Sequence, residues 1–280
     1  MRHYCIFIMV FFLPFLAISQ KMDFLPKHNL WTTQSLDPLA SQGYGQVSAV
    51  WEDGIPADYV ITGFAFGFQK SFFAWPFSED KAFDIGIEGT AFTQFEWTNR
   101  VEGDFQRNII STDFIIGLPL VLYLKPWTIR LRLYHLSAHM GDDYMIRNKI
   151  NSFVFNNNNY EQIDLTTSYL LKNFRFYLGI GVVIRSTNTR SPMVFTGGMD
   201  YLLPFNKKKS AQLYAGFYLD SKQEFDFRPA MNVGVGVQLG KPDRRPIKIL
   251  ITYFNGPLPY SVFHGEPVQW LGAAIYINPF

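Results

Sequence analysis

The chain has a single cysteine, Cys5, and it falls within the first twenty residues. Those residues, MRHYCIFIMVFFLPFLAISQ, have the three parts of a secretory signal. Arg2 supplies a basic start, residues 4–16 an apolar core, and Ala17-Ile18-Ser19 a small-x-small cleavage site. Residues 1–19 are therefore expected to be removed, leaving a mature chain that starts at Gln20 and holds no cysteine. That excludes a disulfide scaffold despite export. An excess of one charge is also missing. The 25 basic and 23 acidic side chains are spread along the chain, so no nucleic-acid partner is expected. Beyond the signal there is no uninterrupted apolar run of the ~20 residues that a membrane helix needs. No repeat of fixed period and no interdomain linker appears.

Aromatic residues are what the chain has in excess: 28 Phe, 15 Tyr and 6 Trp, or 18% of the sequence. An exported, aromatic-rich chain without a membrane helix is either a soluble β-protein or an outer-membrane barrel. Alternation decides between them. In residues 83–97, FDIGIEGTAFTQFEW, one face carries Phe83, Ile85, Ile87, Ala91, Phe95 and Trp97. The other carries Asp84, Gly86, Glu88, Thr90, Gln94 and Glu96. Strands of soluble sandwiches are usually about five or six residues long, whereas barrel strands of about ten or more alternate lipid-facing and lumen-facing residues. The pattern recurs in DFIIGLPLVLYL, NVGVGVQLG and IKILITY, where Pro119 demands a bulge or strand edge because it donates no ladder bond.

These segments predict an all-β fold, a single antiparallel transmembrane β-barrel of about twelve strands. They lie near 43–53, 58–74, 81–97, 106–124, 127–140, 160–172, 174–187, 192–204, 210–219, 226–240, 246–255 and 266–280. Short connections alternate with the long ones at 98–105, 141–159 and 256–265, which places both termini on the periplasmic side. The barrel, 43–280, is expected in the bacterial outer membrane, with outer-membrane lipid around it. The last strand, ending in Phe280, is expected to engage the barrel-assembly machinery, although Asn278 and Pro279 interrupt its apolar pattern. Residues 20–42 do not alternate and read as a periplasmic segment or a plug. The asparagine run before Tyr160 reads as a solvated loop tip. Nothing in the sequence sets an oligomeric state.

Four histidines remain after the signal, and two of them fall in one stretch, RLRLYHLSAHMGDDY at 130–144. Arg130 and Arg132 alternate with apolar residues, but polarity then moves to odd positions, His135, Ser137 and His139. A one-residue β-bulge at Leu133-Tyr134 would keep all five polar side chains facing the lumen. Pairing through the Lys125-Pro126 turn then sets Asp113 opposite His139, and equal strand heights bring Asp164 near His135. Three readings stay open for this cluster. The polar lumen of a narrow channel or structural barrel needs no chemistry from it. Alternatively Ser137 is a nucleophile, His135 its base and Asp164 or Asp113 the orienting acid, since His-x-Ser spans ~6.6 Å at ~3.3 Å rise per residue. Metal binding by His135, His139 and Asp142 or Asp143 is weaker, because the two histidines lie ~13 Å apart along a strand. No metal and no cofactor is expected. A third kind of function, partner binding through the long loops, is compatible with the same barrel. Arg130 and Arg132 are expected to balance Asp84, Glu88 and Glu96.

The stretches SLDPLASQGYGQVSAVW, DIGIEGTAFTQFEW, the run from Asp113 to Tyr144, and FNGPLPYSVFHGEPVQWLGAAIYINPF resemble an uncharacterised family of bacterial outer-membrane proteins. Its hallmark, R-L-Y-H-x-S-x-H-x-G-D-acid-Y, is met by residues 132–144, with Ala138 where a second serine is often found. That resemblance implies a barrel without an established activity. More distantly, His135-Leu136-Ser137 is similar to the His-x-Ser strand of outer-membrane phospholipases and lipid A deacylases. It implies a third polar residue on the following strand and a site on the bilayer side of the wall. Those enzymes have Asn-Gly soon after the serine, where this chain has AHMGDD. Their third residue follows about fourteen positions after the histidine, which here is Lys149.

Overall fold

A computed structural model of the chain describes residues 22–52, 54–101, 104–150, 158–187, 190–241 and 245–279. The expected signal, residues 1–19, and the terminal Phe280 lie outside them. Twelve strands form the wall: β2 (Gly43–Glu52), β3 (Ile55–Ser78), β4 (Lys81–Val101), β5 (Asp104–Leu124), β6 (Trp127–Met140) and β7 (Tyr160–Leu171) make its first half. β8 (Phe174–Ser186), β9 (Met193–Pro204), β10 (Ala211–Lys222), β11 (Pro229–Leu239), β12 (Ile247–Pro257) and β13 (Pro267–Ile277) complete it. Each pairs antiparallel with its neighbours, β13 with β2 and β3 with β4, so the sheet closes on itself. Closure leaves every wall strand a partner on both sides, which removes the edges that an open sheet would expose. A short strand, β1 (Asp23–Phe24), pairs with Ala74 and Phe73 of β3, where β3 runs past the start of β2.

The exterior follows the alternation. Phe114, Ile116 and Leu118 of β5, Leu131 and Leu133 of β6, and Leu178, Ile180 and Val182 of β8 are exposed outward. Their neighbours in sequence are buried inward. Pro119 does not shift the register. It interrupts the β4–β5 ladder between Glu88↔Gly117 and Ile85↔Leu120, while β5–β6 pairing continues through Pro119↔Arg132.

The interior is filled rather than open. From Trp31 onward the N-terminal segment lies inside the wall, with Leu36 fully buried against Tyr177, Tyr214 and Tyr218. Asn232 donates to the Leu36 carbonyl at 2.8 Å. Gly234 makes the seat for that leucine, because a Cβ there would stand 2.8 Å from the Leu36 Cδ2. At the other end the connection between β12 and β13 folds inward. Tyr260 stacks on Phe92 at 5.6 Å, its hydroxyl lies 3.1 Å from that of Tyr44, and the Ser261 N–H donates to Asp113 at 2.6 Å. Asn158, read from the sequence as part of a solvated tip, is instead buried and donates to the Ser261 carbonyl. Between the two inserts lies an apolar cluster of Ala65, Phe92, Ile115, Tyr134, Leu136 and Tyr160, with Leu39 of the N-terminal segment against it.

Candidate functional site

Strand β6 carries no bulge. Its pairing with β5 is unbroken from Leu124↔Trp127 to Ser111↔Met140, so the bulge expected at Leu133-Tyr134 is absent. Even positions face the lumen along the whole strand: Arg130, Arg132, Tyr134, Leu136 and Ala138 are all buried. His135, Ser137 and His139 consequently face outward, toward the bilayer side. Apolar residues can turn inward here because the lumen at this height is an apolar core. Tyr134 and Leu136 pack into the cluster just described, so a strictly polar interior is not required.

The two carboxylates expected to serve the histidines are elsewhere. Asp113 pairs across the ladder with Ala138, not His139, and is held by Ser111 at 2.5 Å and the Ser261 N–H. His139 stands opposite Thr112 on the outer surface, edge-on to Phe114 at 5.8 Å. Asp164 pairs with Arg132, three residues along β6 from His135 and on the inner face, with a side-chain distance of 4.0 Å. Arg132 also binds Glu88, donates to the Leu39 carbonyl at 3.1 Å and lies 4.2 Å over the Tyr134 ring. Arg130 covers the Trp31 ring at 4.4 Å. Asp84 accepts from Ser71 and the Leu30 N–H, and Glu96 from Asn108, so only Glu88 of the three expected acids makes a short contact with these arginines.

Asp142 and Asp143 open a six-residue helix, α1 (Asp142–Arg147), packed on β5. Asp143 accepts the Ile109 N–H with both oxygens, at 3.1 and 2.9 Å, and does not approach the histidines. Among the described residues no group of three or more metal-ligating side chains is found. Lys149 lies beyond α1 and before β7.

The residue that the sequence reading missed is Glu161. It sits directly across the ladder from His135, on the same outer face, with its Oε1 3.1 Å from the His135 Nδ1. The histidine is 44% exposed and the glutamate 29%, so the pair lies in the wall's outer surface. A signal for it existed. On β7 the lumen-facing set Gln162, Asp164, Thr166 and Ser168 leaves Glu161, Ile163 and Leu165 on the lipid face, where a charged residue is out of place. Beside it lies an irregularity that the sequence does not announce, in the pairing of β7 with β8. Between Glu161↔Arg185 and Gln162↔Val183 the register shifts, leaving Ile184 unpaired and both Ile184 and Arg185 exposed. This bulge turns Arg185 outward, with its Nε 3.9 Å from the second Glu161 oxygen.

The end of β6 is anchored where its pairing with β7 stops. Asn159 accepts the Ala138 N–H at 3.1 Å, which holds the backbone next to Ser137 although the ladder ends at Leu136↔Tyr160. The outer surface at this height therefore holds a serine, a histidine two residues away on the same face, and a glutamate oriented on the imidazole. Phe114 and Ile116, cross-strand partners of Ser137 and His135, are exposed around it.

The family model for a protein of unknown function, DUF1207, matches residues 21–278. The chain belongs to the DUF1207 family. Among curated proteins no sequence match is found. Solved structures share the fold of this DUF1207 member, two outer membrane phospholipases among them. A Salmonella typhi outer membrane phospholipase, a dimer with bound calcium, is 10% identical over 90% of this chain and 94% of that one, with a TM-score of 0.52. Outer membrane phospholipase A from Escherichia coli is 9% identical over 85% and 92%, with a TM-score of 0.53. At that identity the likeness concerns the barrel. This DUF1207 chain thus has the fold of bacterial outer-membrane barrels.

Proposed function

We propose that this protein is an acyl hydrolase embedded in the outer membrane, cleaving ester bonds of lipids that reach the outer surface of its wall. The observation that carries the reading is the contact between His135 and Glu161, on one outward face with Ser137. A glutamate accepting the Nδ1–H fixes the imidazole tautomer and leaves Nε2 free to face the serine hydroxyl. Ser137 Oγ would attack the ester carbonyl carbon as His135 takes its proton. Collapse of the tetrahedral adduct expels the alkoxide, which leaves with that proton, and water then releases the acyl group by the same route. Glu161 stabilises the imidazolium without itself being protonated. The outward aspect suits a substrate that arrives laterally through the bilayer, along Phe114 and Ile116. It is also the placement implied by the similarity to outer-membrane phospholipases and lipid A deacylases, whose spacing fails here only because α1 and its loop lengthen the connection to β7. The reading includes export by the signal, periplasmic termini and no cofactor. A narrow channel finds less support, since both the N-terminal segment and residues 258–266 occupy the lumen.

The test is release of fatty acid from phospholipid or lipid A in mixed micelles by the purified protein. Ser137→Ala should abolish release, and Glu161→Gln should lower the rate by about 10²–10⁴-fold, as loss of an orienting acid does. Undiminished release by Ser137→Ala would remove the proposal.

A further inference from the structure

The opposite end of the barrel holds a cavity of about 830 Å³ between the N-terminal segment and the inner wall. Its size falls within the ~300–1,000 Å³ of small-molecule sites. The chemistry of its lining is one-sided. Asp200 is the only carboxylate among the described lining residues, and it is fully engaged, by the Arg175 guanidinium and by the Tyr214 hydroxyl at 2.7 Å. Lys248 points into the same space, with its ammonium 2.5 Å from the Ser35 hydroxyl and 4.8 Å over the Tyr214 ring. The carboxylate that acts on it there is Asp200, already engaged by Arg175 and Tyr214. Lys27, Lys172 and Lys209 stand around the mouth of the cavity.

A second observation is independent of charge. Gln212, Gln238 and Lys248 stand in one row across β10, β11 and β12, and all three line the cavity. Cations in excess, with side-chain amides in a row beside one of them, suit an anion with several acceptor oxygens.

We propose that this cavity binds a soluble, phosphate-bearing small molecule on the periplasmic side, with its phosphate between Lys248 and Gln212 and further negative groups toward the mouth lysines. A phosphate offers acceptor oxygens in several directions and up to two charges, which suits an ammonium with side-chain amides beside it in one row. The site lies in the lumen, so it is separate from the outward-facing serine and does not depend on the hydrolase reading.

Inorganic pyrophosphate is the probe, titrated by calorimetry into the full-length protein in zwitterionic detergent at low salt. Saturable binding is expected, weakened about tenfold or more in Lys248→Met and several-fold in Gln212→Leu, the scale of a lost charge-assisted hydrogen bond. Ser137→Ala should bind as the parent does. Heat-modifiable migration on gels reports whether each variant is folded, and Gln212→Leu carries the test if Lys248→Met is not. Absence of binding, or equal binding by a folded Lys248→Met and Gln212→Leu, overturns the proposal. Transfer to nanodiscs of phosphatidylcholine or phosphatidylglycerol separates the sources. Equal affinity in both supports a soluble ligand, and loss of binding in phosphatidylglycerol alone assigns the site to a lipid headgroup and overturns the soluble one.

Discussion

Arg130 and Arg132 occupy the same face of β6 as Tyr134, Leu136 and Ala138, yet the two halves of that strand meet opposite surroundings. Toward the short-turn end the inner face meets carboxylates and the backbone of the N-terminal segment: Arg132 reaches Glu88, Asp164 and the Leu39 carbonyl. Toward the loop end it meets Phe92, Ile115, Tyr160 and the inserted loop that carries Tyr260. The backbone does not change; its partners do. Polarity on a barrel's inner face therefore reports what fills the lumen at that height. On the outer face the pattern inverts, with Leu131 and Leu133 giving way to His135 and Ser137, and an interruption of the apolar exterior marks the site.

Disturbing the ion cluster of the first half should have the largest effect. Arg132→Ala strands Glu88 in the wall and is expected to cost about 3–5 kcal/mol in denaturant-induced unfolding from micelles. The double variant Arg132→Met with Glu88→Leu should recover most of that loss, which would show that the cost lies in the orphaned charge. In the second half, Leu136→Ala removes a fully buried side chain and should cost about 2–5 kcal/mol. Leu133→Ala, three residues away and facing lipid, should cost clearly less in the same assay. If the two were equal, the assignment of faces would fail. Smaller again is the stability effect of the outward site. His135→Ala and Ser137→Ala should leave unfolding within about 0.5 kcal/mol of the parent, while lipid hydrolysis disappears.

The smallest effect is a local one, in the inserted loop. His264, in the inserted loop, accepts from Lys222 at 3.2 Å and from Arg190 at 3.3 Å, with Glu224 at 3.6 Å and the Phe225 ring against it. Burial above all, then the Lys222 and Arg190 cations, holds its pKa well below the ordinary histidine value. The folded loop therefore resists a proton that the opened loop accepts at about 6.5. Its contribution is complete above that value and is lost as pH falls toward the folded pKa. Hydrogen exchange over residues 258–266 should accelerate on acidification below pH 6.5, and His264→Gln should flatten that dependence.

The strands were legible in the sequence with little error. Trp127 and Met140 bound β6 as expected, and the lipid-facing valines of β11 and isoleucines of β12 were visible from period two alone. Glu161 was equally visible as a charge at a lipid-facing position, once the alternation of β7 is taken at its word. The facing of His135 was not. It rests on the premise that a lumen is polar, which turns Leu136, Ala138 and Met140 outward. A bulge was inserted in β6 for the same reason, whereas the bulge beside the site is in β8, where Ile184 and Arg185 offer no break in pattern to announce it.

By itself the sequence determined the wall: strand number, antiparallel order and the apolar exterior. One solvent, hydrocarbon, meets that surface at every strand and imposes one rule on alternate residues. The inside was decided only in three dimensions. There the environment is made by segments distant in sequence, residues 31–42 from one end and 258–266 from the other. Whether they present carbonyls and carboxylates or aromatic rings is settled by where each comes to rest. The pairing of His135 with Glu161 is of the same kind, since it depends on how two strands separated by a long loop align, and register across a long loop is set by packing rather than by local spacing.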